Sequence, residues 1–331
     1  MMALIHLLPL LEAAEAAGEL NARFLVFPMV NPVGMANLEF GGHQGRHDRP
    51  SGVNFNRQWP DLYAAIESGL ESELSDNQAA NQRVIRRRIG NWVARQKPVG
   101  ARQTLRHLVV QHAHDADYVF DLHCDDESLA HIFSPPHCNE SMQRLSRWID
   151  LGAIMTADDS GGGSFDEVWP LPWIKARHAF PDYPIAIPVT ACTLELRGQA
   201  DVSDAIGSAD ASGLFAYFQS EGLIAGDAGA PPFASVEPTP LNATEILRVD
   251  APGLLSYRVN LGDHVTRGQV IADLIALHGT EAFRKRTPTM AGTDGTVINR
   301  RIHKYVWPGC SIAKIAGRDP LPERDGYLLE D

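Results

Sequence analysis

Tyr118-Val119-Phe120-Asp121-Leu122-His123 runs from an apolar strand pattern into a short polar end. A strand end holds its last side chains rigidly at the rim of a sheet, where open α/β sheets bind their ligands. His is the commonest metal ligand, so His123 is a metal-ligand candidate at such a rim. Alternation along the strand puts Asp121 on the same face, where its carboxylate can fix the imidazole ring. Two further signatures lie at compatible positions. Asn54-Phe55-Asn56-Arg57 follows Arg46, and Thr193-Leu194-Glu195-Leu196-Arg197-Gly198 lies downstream. One signature offers a metal ligand, one an anion clamp, and one a lone carboxylate ending an apolar strand. Together they point to a metal-assisted hydrolase acting on a substrate that carries a carboxylate.

The chemistry follows from the residue types. A planar guanidinium makes paired hydrogen bonds to a carboxylate, so Arg57, with Asn56 beside it, is the candidate substrate clamp. Arg46 is preferred over Arg49 as the second cation on spacing. A bond from Arg57 to Asp61 would be the structural alternative. Glu195, flanked by Leu194 and Leu196, is the general-base candidate, because partial burial raises a carboxyl toward the range that base catalysis needs. A salt bridge from Glu195 to Arg197 is its structural alternative.

The order Asn31-Pro32, Arg46, Asn54-Phe55-Asn56-Arg57, Asp121-Leu122-His123 and Leu194-Glu195-Leu196 resembles the succinylglutamate desuccinylase/aspartoacylase family of zinc carboxypeptidase-like hydrolases. The resemblance covers residues 1–225 and implies a mixed sheet flanked by helices, with an additional C-terminal β domain. It implies Zn2+ as cofactor with His123 as one ligand. Glu195 and Arg46 would then be catalytic, Arg46 polarising the scissile carbonyl, while Asn56 and Arg57 bind the substrate carboxylate. The implied reaction is hydrolysis of the amide bond of an N-acyl amino acid or a similar small carboxylate. A metallocarboxypeptidase acting on peptides and a non-catalytic carboxylate-binding protein are the rival readings. The family's other zinc ligands come from a His-x-x-Glu motif ahead of the first long helix. This sequence opens at that helix, Met1-Met2-Ala3-Leu4-Ile5-His6-Leu7-Leu8, so either the reading frame is truncated or the usual zinc site is lost. His112 to Asp115 and His137 to Glu140 match the spacing but flank the His123 strand, and read as ordinary helix and loop residues.

The 331 residues suffice for a large core and two domains. A formal net charge of -12 argues against a nucleic-acid or anionic-membrane binder. The four cysteines show no C-x-x-C spacing. The apolar start lacks a basic leader and no run is long enough to span a bilayer, so a cytoplasmic location is expected. The partner is a small molecule, and the oligomeric state, homo-oligomer or not, stays open.

The pattern predicts helices over 3–17, 74–96, 103–116, 139–152 and 208–221, and strands over 23–30, 117–122 and 185–196. Gly161-Gly162-Gly163-Ser164 is no P-loop, since no Lys-Ser/Thr follows. It reads as a loop over the site or as plain surface. An Ala/Gly/Pro-rich linker is expected at 225–240, dividing a catalytic domain, 1–224, from a β domain, 241–331. Val259–Val270 and Gly295–Gly309 resemble the halves of a small biotinyl/lipoyl-like β barrel. Lys285 lacks the neighbours of an attachment site, so the barrel is expected to be structural.

Overall fold

The computed structural model describes residues 1–39, 42–43 and 45–329. The first helix, Met2–Ala17, buries Ala3, Leu7, Leu11 and Ala14, a stripe spaced by three and four residues. It stops at Gly18, whose φ of 72° is the left-handed conformation that a side chain disfavours. This helix packs on Asp204–Ser220 against one face of the central sheet. Gln78–Arg95 and Gly100–Ala113 cover the opposite face.

The central sheet is ordered Tyr118–Asp125, Thr190–Gly198, Ala130–Ser134, Leu151–Thr156 and Pro238–Pro240. Its second ladder, between Thr190–Gly198 and Ala130–Ser134, is antiparallel and the others are parallel, so the sheet is mixed. Phe120, Leu122, Cys192, Leu194 and Ile132 point into one core. Val119 and Ala191 begin the other face, and along that face the later positions are Asp121, His123, Thr193 and Glu195. The sheet is therefore apolar on one side throughout, and on the other turns polar only at the strand ends.

Three expectations need correction. Residues 23–30 form no strand: 23–27 carry no regular structure and 28–30 turn, without a ladder hydrogen bond among the described residues. Their inward side chains, Phe24 and Val26, pack on the core, with Phe24 edge-on to Phe218. The strand expected over 185–196 starts only at Thr190, and Ala130–Ser134 and Leu151–Thr156, unmarked in the sequence pattern, are strands instead. Third, no closed barrel forms in the C-terminal part among the described residues. The expected β runs pair into two sheets that enclose Val265, Ile271, Val297, Ile312 and Ile315. Gly295–Arg300 does not continue around a barrel. Its last residues, Asn299 and Arg300, pair instead with Glu127–Ser128, just beyond the His123 strand. The stretch read as a linker also ends within the central sheet, as the edge strand Pro238–Pro240. No helix among the described residues is long and apolar enough to cross a membrane.

Candidate active site

His123 and Glu195 are direct neighbours across the parallel ladder, and Glu195 faces His131 across the antiparallel one. Adjacent strands lie about 4.8 Å apart, so the three side chains form a row at the sheet rim. His123 Nε2 is 2.6 Å from Asp121 Oδ2, the contact expected from their shared face. Burial works against the imidazolium, but the charge and hydrogen bond of Asp121, with Glu195 and Asp166 beyond, raise His123 to about 9. Burial pushes Glu195 up to about 7, with His123 pulling the other way. Its Oε2 is buried without a hydrogen-bond partner among the described residues. The alternative pairing with Arg197 does not occur. Arg197 takes a φ of 66° and turns to Asp210, with both oxygens at 2.9 Å from Nη1. Gly198 follows because the backbone passes close there: a Cβ would lie 2.5 Å from the Asp126 carbonyl oxygen.

The clamp residues come from one stabilised loop. The Phe55 amide donates to the Arg46 carbonyl at 2.9 Å, and His47 bridges Asn54, so Arg46 and the Asn54-Arg57 segment are backed onto each other. Asn54 Oδ1 accepts from the Asn56 amide at 2.9 Å, the local turn that Asn favours. Asn56 Oδ1 accepts from the Phe165 amide at 2.9 Å and from Trp59 Nε1 at 3.3 Å. That oxygen therefore ties the loop to Ser164-Phe165. The Gln58 and Trp59 amides donate to the Gly162 and Gly163 carbonyls, so the glycine run braces this loop. Asp61 bonds Lys175 at 2.8 Å, and Arg49 bonds Glu39 at 3.1 Å near the surface.

Arg46, Asn56, Arg57, His123 and Glu195 all line one cavity of about 1920 Å3. This exceeds the 300–1,000 Å3 or so of an ordinary small-ligand site. The edge strand Tyr118–Asp125 and residues 23–30 also line the cavity. The spacing matches separate. His137 Nε2 bonds the Val189 carbonyl at 2.9 Å, while His112 packs against Phe27 at the cavity wall.

Three groups at the site escaped the sequence reading. Asp166 is buried beside Thr193, whose hydroxyl donates to it at 3.2 Å, and burial next to Glu167 raises its carboxyl. Its signal was an acidic pair inside the apolar run Phe165–Trp169. Lys314, from the C-terminal sheets, reaches Asp125 at 2.7 Å, and His131 Nε2 lies 3.8 Å from the same carboxylate. Burial, with Lys314 nearby, holds His131 down at about 4. Arg106, on the helix Gly100–Ala113, stacks over Trp59 and donates to carbonyls of the clamp loop. No local pattern marks Lys314 or Arg106, because both act across long sequence separations.

Solved structures described as succinylglutamate desuccinylase/aspartoacylase proteins share this fold. A structure from Shewanella frigidimarina NCIMB 400, provisionally described as such a protein, superimposes with a TM-score of 0.80 at 21% identity, over 96% of this chain and 84% of that one. A provisionally described family protein from Shewanella amazonensis SB2B gives 0.79 at 23% identity, over 95% and 86%. A succinylglutamate desuccinylase/aspartoacylase from Rhodobacter sphaeroides gives 0.51 at 14%, over 80% and 84%. The resemblance carried by the short motifs thus extends to the fold of nearly the whole chain. No family model matches the sequence, and no curated protein matches it.

Proposed function

We propose that this protein is a deacylase-type hydrolase that cleaves the amide bond of an N-acyl amino acid or a similar small carboxylate. The observation that carries the reading is that Arg46, Asn56, Arg57, His123 and Glu195 line one cavity. Arg57 would take the substrate carboxylate in paired hydrogen bonds, and Asn56 would shape the loop that presents it. Arg46 would polarise the scissile carbonyl. Glu195, raised to about 7 by burial, is suited to remove a proton from the attacking water near neutral pH. The same proton then passes to the leaving amine as the C–N bond breaks, leaving a free carboxylic acid and the amino acid.

Zn2+ is the proposed cofactor, with His123 among its ligands. A catalytic zinc takes three protein ligands and keeps one open position. Among the described residues, no three His, Cys, Asp or Glu side chains are arranged to hold a metal. His123 with Asp121 does not fit a complete zinc site, and no step is assigned to the metal. The rival reading is a carboxylate-binding protein that uses the same clamp without turnover. Steady-state hydrolysis of a panel of N-acyl amino acids, with and without added zinc, separates the two. Release of the amino acid supports the deacylase, and binding without release supports the rival.

A further inference from the structure

We infer that Arg106 is the positioning residue of the carboxylate clamp: it holds the backbone of the Asn54–Gln58 loop so that Arg57 faces the cavity. This deepens the proposed deacylase reading and rests on it for the identity of the clamp. Beyond the His47–Asn54 bridge and a long bond from the Arg57 amide to the Asn54 carbonyl at 3.3 Å, the loop has little backbone pairing of its own, so its remaining carbonyls draw on partners from elsewhere. One guanidinium supplies them. Arg106 Nη2 shares its two N–H groups among three carbonyls, that of Arg57 and, at 3.3 Å each, those of Asn54 and Phe55, while Nη1 donates to Gln58 at 3.2 Å. Its Cζ lies over the Trp59 ring, 5.6 Å from the centroid. Arg57 Nη1 in turn donates to the Asn56 carbonyl at 2.7 Å, so the clamp side chain is braced by the backbone that Arg106 fixes.

The residue type follows from this geometry. Only a rigid, multi-donor fork reaches four carbonyls of one turn at once, and only a flat cation also stacks on an indole. Lys keeps the charge but presents a compact ammonium, so charge and positioning can be separated by experiment. Arg106 lines the cavity near Arg57, and its charge alone would also draw a carboxylate.

The test compares the full-length protein with its Arg106→Lys and Arg106→Leu variants, using N-acetyl-L-glutamate as probe. Calorimetry gives Kd, hydrolysis gives kcat and KM, and hydrogen exchange without ligand follows the amides of 55–58. Displacing a binding group by about 1 Å can weaken its function on the order of 100-fold. Arg106→Leu is therefore expected to raise Kd and KM by roughly 10- to 100-fold with kcat little changed, the pattern of lost binding common to ground and transition states. Exchange at 55–58 should quicken while that of the central strands stays slow. Arg106→Lys should fall between, and it serves as the test if Arg106→Leu does not fold. Arg106→Lys matching the wild type in KM and in exchange would reduce the role to charge and overturn the proposal. So would unchanged exchange at 55–58 in Arg106→Leu, or a fall in kcat with KM intact. Exchange is read without turnover, so a wild-type protein inactive on every N-acyl amino acid would sink the deacylase reading but not this one.

Discussion

Glu195 is a buried carboxylate at a sheet rim, flanked by Leu194 and Leu196, and burial raises it to about 7, the range that the proposed base role needs. Replacing it by Gln keeps the shape and removes the proton acceptor. The Glu195→Gln variant is expected to bind an N-acyl amino acid normally and to lose roughly 10²–10⁴-fold in kcat, the range general-base catalysis supplies. Steady-state kinetics and calorimetry check both halves. Because the base must be ionised, kcat/KM should rise with pH through about 7 in the wild type. The same group has an opposite effect on stability. Its carboxyl is raised from 4.5, so the folded state holds the proton more tightly than the unfolded chain. Its contribution to stability therefore declines as pH rises from about 4.5 to about 7, and chemical denaturation of Glu195→Gln should lack that slope. Arg57→Lys should raise KM strongly and leave kcat nearer normal, since a point charge replaces a two-pronged donor. Equal kcat/KM on substrates with free and esterified carboxylates would show Arg57 to be structural.

At the scale of elements, the strand ends are joined to the C-terminal sheets by charge. Burial would raise the Asp125 carboxyl, yet Lys314 beside it brings it down to about 2. A carboxyl depressed in the fold stabilises above its unfolded value of 3.8 and loses that contribution only as pH falls toward 2. At neutral pH the pair is fully formed, with side chains 18% and 16% exposed. Lys314→Met leaves Asp125 largely buried without its cation and should cost on the order of 2–3 kcal/mol in urea denaturation. Adding Asp125→Asn should recover part of the loss. A null effect of Lys314→Met would mean that Asp125 finds water or another donor. The elements that the sequence exposed are those whose periodicity is local. Met2–Ala17 and Gln78–Arg95 carry clear helical stripes, and Tyr118–His123 and Leu194–Leu196 carry period two. The strands Ala130–Ser134 and Leu151–Thr156 hid because both are buried nearly throughout, so no exposed polar residues alternate with the apolar ones. Residues 23–30 misled for the reverse reason: their alternation is present, with Phe24 and Val26 inward, but a ladder needs a partner that the sequence pattern cannot reveal. The C-terminal runs pair as two sheets with no closed barrel among the described residues, and Asn299–Arg300 additionally pairs with Glu127–Ser128, a long-range contact that no local pattern shows. Among the candidate site residues, the short motifs marked Arg46, Asn56, Arg57, His123 and Glu195, and an acidic pair in a local apolar run marked Asp166, whereas Arg106 and Lys314 became visible only once distant elements met.

On the scale of the whole molecule, two halves meet at the rim where His123 and Glu195 sit, and the cavity runs between the clamp loop and the strand ends. One His beside one Asp is a poor zinc site, so the chain of residues 1–331 should retain well under one zinc after dialysis. Metal analysis finding close to one tightly held zinc per chain, lost on His112→Ala or His137→Ala, would place the ligands elsewhere than at His123. The central claim is that this cavity hydrolyses an amide whose substrate is anchored by its carboxylate. Its most direct test is the rate of amino-acid release from N-acyl amino acids, measured with and without zinc, for the wild type and Glu195→Gln, on free acids and on their carboxylate esters. The account predicts release from the free acids, strong loss on esterification, and loss of roughly 10²-fold or more in Glu195→Gln. Release by Glu195→Gln at the wild-type rate, or no release from any free acid under either condition, would contradict it.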